Sequence, residues 1–159
     1  NQLGGYCMRT VACFGHSMIP REIVPKIEKT IRQLYLDDPD TEFLVGHQGK
    51  FDNAVYRALK ILEKEFPDLR YKVVLAYMPG EKEEYPLYPP ERTYYPEGLE
   101  SVHPKYAITR RNRWMVEQCD VVLCYITHSW GGAAQFVKKA EYYDYVRAGS
   151  MYEIEACEY

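Results

Sequence analysis

Residues 120–126 read Asp-Val-Val-Leu-Cys-Tyr-Ile, and this apolar run is the strongest strand signal in the chain. A short, continuous run of β-branched and apolar residues, bounded by turn signals, is typical of a buried strand in a parallel sheet. Four further runs predict strands in the same way: residues 9–14 (RTVACF), 42–45 (EFLV), 71–77 (YKVVLAY) and 150–154 (SMYEI).

Stretches with helical spacing separate these strands. Apolar residues recur at helical intervals over residues 17–35, 51–66, 109–119 and 133–147. Ser17 is a candidate N-cap of the first helix, and Pro25 is either tolerated in its first turn or delays its start. Strands that alternate with helices predict a parallel sheet with helices on both faces. We therefore predict one α/β domain over residues 1–159: a Rossmann-like, doubly wound, mainly parallel sheet of about five strands.

Residues 78–107 interrupt the alternation. The segment is rich in proline, tyrosine and glutamate and shows no clear period. Long segments without regular structure are uncommon inside a compact domain and are usually functional or disordered. We expect this one to lack regular structure and to pack on the domain as a lid or flap.

The composition is that of an ordinary globular domain. The chain has 159 residues, of which 47% are hydrophobic and 27% are charged, and its formal net charge is −3. This charge argues against a generic nucleic-acid or membrane-surface binder. No apolar run approaches the roughly 18–20 residues that a membrane helix needs. We expect neither a nucleic acid nor a membrane among the partners.

The five cysteines predict reduced thiols, because their number is odd and no pair has CxxC spacing. No Cys or His cluster has zinc-ligand spacing, so we expect no metal. The GxGxxG and P-loop patterns are both absent, and we expect no cofactor. Residues 1–8 lack the basic head and the apolar stretch of a secretory signal, which predicts a cytoplasmic protein.

The candidate ligand-binding residues follow the strands, because ligands of doubly wound sheets bind beyond the carboxyl ends of the strands. Glycine there lets backbone amides approach a ligand, and the next helix N-terminus attracts an anion. Ordinary turn glycines give the same pattern. The candidates are Gly15, His16, Ser17, Gly46, Gly49, Lys50, Asp52, Ser129, Trp130, Gly131 and Gly132.

Several of these side chains have more than one interpretation. His16 can donate to a phosphate, act as an acid or base, or satisfy a loop carbonyl. Asp52 can cap the second helix or contact a ribose hydroxyl. His47 and His103 are interpreted as surface residues.

Arg110, Arg111 and Asn112 open the helix that leads into residues 120–126. The forked guanidinium matches the oxygens of a phosphate or pyrophosphate. Cations normally avoid a helix N-terminus, where the helix dipole is positive, so the cluster favours an anionic partner. The alternative is a solvated basic turn.

Five short motifs follow one another along the chain: Cys13-Phe14-Gly15-His16, Gly46-x-x-Gly49-x-Phe51-Asp52-x-Ala54, Arg111-Asn112-x-x-Met115-Val116, Asp120-Val121-Val122 and Gly131-Gly132. Their order and spacing resemble the SLOG superfamily of Rossmann-like proteins, in particular its branch of small single-domain members from bacteria and phages. The resemblance extends from about residue 9 to residue 154.

The resemblance implies a nucleotide-type ligand. The superfamily includes sensors of ADP-ribose-type signals and hydrolases that cut the N-glycosidic bond of nucleoside monophosphates. The matching ligand-contact positions are the glycines of the first and last loops and Arg111-Asn112. The hydrolases carry a glutamate shortly after the last glycine loop. Here Ala133 follows Gly131-Gly132, and the first carboxylate is Glu141, two helical turns further on.

We therefore expect a sensor or sequestering protein that binds a phosphate-containing, nucleotide-derived ligand, with Trp130 or a tyrosine stacked on the base. One alternative is a nucleoside 5′-monophosphate N-glycosidase that uses Asp52 or Glu141 as its carboxylate. Another is a protein-interaction module built on residues 78–107. Self-association is also expected. The binding hypothesis requires that four stretches converge on one rim of the sheet: residues 15–17, 46–52, 110–112 and 129–132.

Overall fold

Parallel strands form the centre of the molecule. A computed structural model describes residues 9–78, 88–127 and 151–153. Its strands are β1 (Thr10–Gly15), β2 (Glu42–Val45), β3 (Arg70–Val74), β4 (Thr93–Tyr94), β5 (Val121–Tyr125) and β6 (Met151–Glu153). They form one six-stranded sheet in the order β4-β3-β2-β1-β5-β6, with every neighbouring pair parallel. The order reverses at β1 and β5, which confirms the predicted Rossmann-like class.

The described part contains the α-helices α1 (Val24–Asp37), α2 (Gly49–Glu65) and α3 (Ala107–Gln118). Val11 and Phe43 face one side of the sheet and belong to the same core as Ile27 of α1 and Leu59 of α2. Alternate strand residues point to the opposite face, where Ala12, Phe14 and Leu44 pack with Met115 and Val116 of α3. Apolar cores therefore cover the sheet on both faces. The helix predicted over residues 133–147 lies outside the described residues.

The first helix begins later than Ser17, so the prediction that Ser17 caps it is wrong. Pro20 is extended (φ −65°, ψ 147°), a 3-10 turn follows over Arg21–Ile23, and α1 begins at Val24 with Pro25 in its first turn. Proline suits that turn because its fixed φ is helical and its missing N–H has no intrahelical partner to lose. Of the two interpretations of Pro25, the one in which the proline is tolerated in the first turn is confirmed. Ser17 instead lies in a bend of the loop after β1.

The described part of the 78–107 segment packs on the domain and contains regular structure, so the expectation of none is wrong there. It forms β4 and three 3-10 turns, Pro90–Arg92, Leu99–Ser101 and Pro104–Tyr106. The N–H of Leu75 donates to the carbonyl of Tyr94 (2.8 Å), which attaches this segment to the end of β3. The Tyr94 ring stacks on Trp114, with centroids 4.7 Å apart. Residues 79–87 lie outside the described part.

Cys13, Cys119 and Cys124 are buried, and Cys13 and Cys119 are free thiols. Burial raises the pKa of the Cys119 thiol to about 12, so this thiol stays protonated at neutral pH and packs as a small apolar group. Within the described ranges, no helix has both the length and the apolar character needed to cross a bilayer. In the same ranges, His, Cys, Asp and Glu side chains do not form groups of three that could hold a metal ion.

Candidate functional site

Two adjacent strands, β1 and β2, are each followed by a histidine that bonds to the neighbouring strand. The backbone N–H of Thr127, beyond β5, donates to Nε2 of His16 (2.9 Å). The backbone N–H of Ala76, beyond β3, donates to Nε2 of His47 (3.2 Å). Each ring thus continues the inter-strand hydrogen bonding past the end of the ladder. The His16 bond spans the gap between β1 and β5, where the strand order reverses.

The loops after β1 and β2 touch each other at this carboxyl edge. The N–H of Lys50 donates to the carbonyl of Ser17 (2.8 Å). Gly49 has a positive φ of 91°, and a Cβ on it would lie 2.6 Å from Cα of Ser17. The edge therefore requires glycine at residue 49 both for its backbone conformation and for the close approach of the two loops.

Arg111 joins α3 to the same edge. Arg111 is only 2% exposed, although arginine is seldom fully buried unless it is paired. Nη1 donates to the carbonyl of Val74 (2.8 Å), Nη2 to Oε1 of Gln48 (2.7 Å), and Nε to Oδ1 of Asn112 (2.7 Å). The guanidinium therefore ties the ends of β2 and β3 to α3. The two predicted roles of this fork were a phosphate contact and a solvated basic turn, but three of its N–H groups bind protein acceptors.

Asp52 supplies a buried acidic group beside Arg111. The residue is 8% exposed, and its Oδ2 accepts the backbone N–H of Gln48 (3.0 Å), which is a capping contact at the start of α2. Burial raises the pKa of this carboxyl to about 6, against the opposing effects of the Arg111 charge and the Gln48 hydrogen bond. The edge thus holds a carboxyl group that titrates close to neutral pH.

Gln48 connects these groups and was not among the predicted binding residues. Its backbone N–H reaches Asp52, its Oε1 accepts from Arg111, and its Nε2 lies 2.9 Å from Nε2 of His47. His47 was interpreted as a surface residue, but it is half-buried. Burial and the nearby Arg111 charge lower its pKa to about 4, so the ring is neutral at pH 7. The sequence signal was the repeated Gly-His pair, Gly15-His16 and Gly46-His47.

Two more of the candidate glycines are explained by packing inside the protein. A Cβ on Gly15 would overlap the ring of Phe51, and Phe51 is fully buried. A Cβ on Gly46 would lie 2.7 Å from Nη1 of Arg111. Glycine at these positions lets an aromatic ring and a guanidinium lie against the backbone. The requirement for glycine therefore exists without a ligand.

The structure brings together most of the described candidates, but it separates Arg110 from Arg111. Residues 15–17 and 46–52 meet directly, and Arg111 with Asn112 meets them through Gln48. Arg110 instead lines a groove of about 260 Å³ along α3, together with Glu97, Arg113 and Trp114. Ser129, Trp130, Gly131 and Gly132 lie outside the described residues.

Asp52 and His47 are expected to affect stability in opposite directions between about pH 4 and 6.5. The pKa of Asp52 is raised on folding, so its contribution to stability is greatest below pH 4 and is lost as the pH rises to about 6. The pKa of His47 is lowered on folding, so its contribution is present above pH 6.5 and is lost as the pH falls to about 4. Over this pH range the contribution of Asp52 to the free energy of unfolding changes by about 3 kcal/mol.

Urea denaturation at several pH values tests this opposition. Relative to the unchanged protein, Asp52→Asn is expected to lose stability on acidification from pH 6.5 to 4, because only the His47 effect remains. His47→Gln is expected to gain stability over the same interval. Parallel stability curves for all three proteins would show that neither group titrates as its surroundings indicate.

Gly49→Ala is expected to destabilise the protein more than Gly98→Ala. Both glycines have similar positive φ angles, 91° and 85°, so the backbone strain of about 1–2 kcal/mol is common to both. Among the described residues, the new Cβ meets another loop at Gly49, whereas at Gly98 none of them lies within 4 Å. The difference between the two free energies of unfolding measures the contact with Ser17. Equal losses would mean that the two loops do not touch.

No family model matches the chain. A search of curated proteins also finds no match. The fold and its carboxyl edge therefore define a Rossmann-like α/β protein, while the SLOG relationship, self-association and a cytoplasmic location stay predictions.

Proposed function

We propose that the carboxyl edge of the sheet binds a nucleotide-derived ligand that carries phosphate, and that the protein acts as a sensor or a sequestering protein. The observation that carries this proposal is that separate stretches of the chain converge at the carboxyl edge. Residues 15–17, 46–52 and 111–112 are far apart in the chain and meet at one edge, at the point where the strand order reverses. Ligands of open α/β sheets bind in the crevice at that point.

The charge of the edge also supports an anionic ligand. Arg111 is buried there, and Lys50 is exposed in the first turn of α2. The N-termini of α2 and α3 carry positive partial charges. The backbone amides of Gln48 and Lys50 already bind Asp52 and Ser17. The exposed Lys50 ammonium group is the charged side chain at this turn that we propose for contact with phosphate.

An aromatic side chain suited to stacking on a nucleobase lies near the Arg111 charge. Tyr77 follows β3, is 42% exposed, and is close enough to Arg111 to influence its pKa. Its hydroxyl donates to the carbonyl of Pro104 (3.0 Å), which fixes the orientation of the ring. An exposed ring that is already fixed in one orientation offers a stacking surface and loses little conformational entropy when a ligand binds. We propose Tyr77 as the stacking residue among those described.

Isothermal titration calorimetry tests the proposal with AMP, ADP-ribose and adenosine. We expect the two phosphate compounds to bind and adenosine to bind more weakly, with affinity falling as salt rises. Lys50→Ala is expected to weaken binding by up to about fivefold, the effect of one exposed ion pair. Lys64→Ala, in the last turn of the same helix, is the matched control and should bind normally. Absence of phosphate-dependent binding would overturn the proposal.

A second function, nucleoside 5′-monophosphate N-glycosidase, is favoured by Asp52. This is a buried carboxyl group at the edge with a pKa raised to about 6, a combination that suits an acid or a charge stabiliser in glycosidic cleavage. Chromatography after incubation with AMP distinguishes the two functions. Free adenine that appears with the unchanged protein and not with Asp52→Asn would establish catalysis. Binding of AMP without release of adenine would establish a binding protein.

A further inference from the structure

The hydrogen bonds around Gln48 fix which ring nitrogen of His47 carries the proton. A guanidinium has only N–H donors, so the Gln48 atom that faces Nη2 of Arg111 is the amide oxygen. The other end of the amide, which faces His47, is therefore the NH₂ group. This group can only donate, so Nε2 of His47 must be an acceptor.

The backbone leads to the same assignment independently. The N–H of Ala76 also points at Nε2 of His47, and a backbone N–H is again only a donor. With Nε2 accepting from both sides, a neutral ring must carry its proton on Nδ1. His47 therefore presents an Nδ1–H donor and has no basic nitrogen left free. It cannot serve as a general base while these bonds last.

We infer that His47 is a specificity-determining residue whose Nδ1–H donates to a phosphate oxygen of the ligand bound at this edge. The inference rests on the proposed function and deepens it. The ring is half-buried, follows β2 directly, and uses only Nε2 in its hydrogen bonds to described residues. The nearby Arg111 charge favours an anionic acceptor over a neutral one at that place. Because the Nδ1–H of His47 can only donate a hydrogen bond, it selects ligands that place an acceptor atom there.

Two substitutions separate the roles of the two ring nitrogens. The amide of glutamine is as many bonds from Cβ as Nε2, so His47→Gln can keep the acceptor for Ala76 but has nothing at the Nδ1 position. The amide of asparagine corresponds to Nδ1, so His47→Asn keeps the donor and loses the acceptor. We expect His47→Gln to stay nearly as stable as the unchanged protein but to bind ADP-ribose or AMP about tenfold or more weakly. We expect His47→Asn to be less stable but to bind, per folded molecule, within about threefold of the unchanged protein.

The measurements are calorimetric affinity, urea denaturation and ¹⁵N NMR of the histidine ring. In the free protein, NMR should show a protonated Nδ1 and an unprotonated Nε2 for His47, and the Nδ1 resonance should move on addition of ADP-ribose. If the unchanged protein binds and His47→Gln binds equally well, His47 is structural and this inference is wrong. The opposite tautomer also overturns it. If the unchanged protein binds neither compound, the proposed function fails, and this inference fails with it.

Discussion

Arg111→Ala is expected to lower the free energy of unfolding by about 3–5 kcal/mol, the usual consequence of removing one partner from a buried charged network. The carbonyl of Val74 and the side chain of Gln48 would lose their donors in a buried place. The nearby Asp52 carboxyl would also lose the charge that lowers its pKa. Urea denaturation at pH 7, followed by circular dichroism, measures the loss.

The pH dependence of this loss identifies its cause. Protonated Asp52 needs no neighbouring cation, so the Arg111→Ala penalty should be smaller at pH 4 than at pH 7. Arg113→Ala is the matched control, because Arg113 is exposed on the same helix and pairs only with Glu117 there (3.1 Å). We expect its effect to be within about 1 kcal/mol. An Arg111→Ala protein as stable as this control would contradict the buried network.

Gly15→Ala is expected to destabilise the protein by about 1–3 kcal/mol or more, as overpacking of a filled core does. The added methyl group would occupy the space of the Phe51 ring, which is fully buried, and close-packed interiors leave little room for a ring to move. Because Gly15 ends β1 and Phe51 lies in the first turn of α2, the strain would separate the helix from the sheet at the proposed binding edge. Thermal and urea unfolding measure the change.

A double-mutant cycle with Phe51→Leu tests whether this contact is the cause. The smaller side chain should destabilise the unchanged protein by leaving a cavity. In the Gly15→Ala protein the same change should cost less, because the methyl group uses part of that space. Strictly additive effects of the two substitutions would show that residues 15 and 51 do not meet.

The strand positions could be predicted from the sequence because burial on both faces leaves an apolar run. Residues 42–45 were placed without error, and 120–126 within one residue at each end. β4 was missed because two residues, Thr93 and Tyr94, are too few to show a period. Their pairing depends on β3, which lies about twenty positions earlier, and no local pattern contains that information.

The site was predicted in position but not in its internal bonding. Loops at the ends of parallel strands must lie on one edge, so the meeting of residues 15–17 with 46–52 followed from the order of elements. The burial of Arg111 did not, because a basic residue near a helix start looks the same whether it faces solvent, a phosphate or a carbonyl. Its acceptors at Val74 and Gln48 are separated from it by 37 and 63 positions.

The glycines show the same limit of local reasoning. A glycine after a strand is compatible with a ligand or with a close internal neighbour, and the sequence does not name the neighbour. Gly15, Gly46 and Gly49 each have one, and these are Phe51, Arg111 and Ser17. The three-dimensional structure is needed to distinguish a glycine that makes room for a phosphate from one that makes room for a side chain of the protein.

The bonds of Arg111 also have a consequence for the order of assembly during synthesis. A growing chain that has emerged only as far as β3 already contains Asp52 and Gln48, but their cationic partner has not yet been made. Burying that carboxylate before its cationic partner exists is unfavourable. The amides of α2 are therefore fully protected from hydrogen exchange only when α3 docks from the opposite face. We therefore expect the two halves of the polypeptide to consolidate together, with the amides of α2 exchanging slowly only once residue 111 is in place.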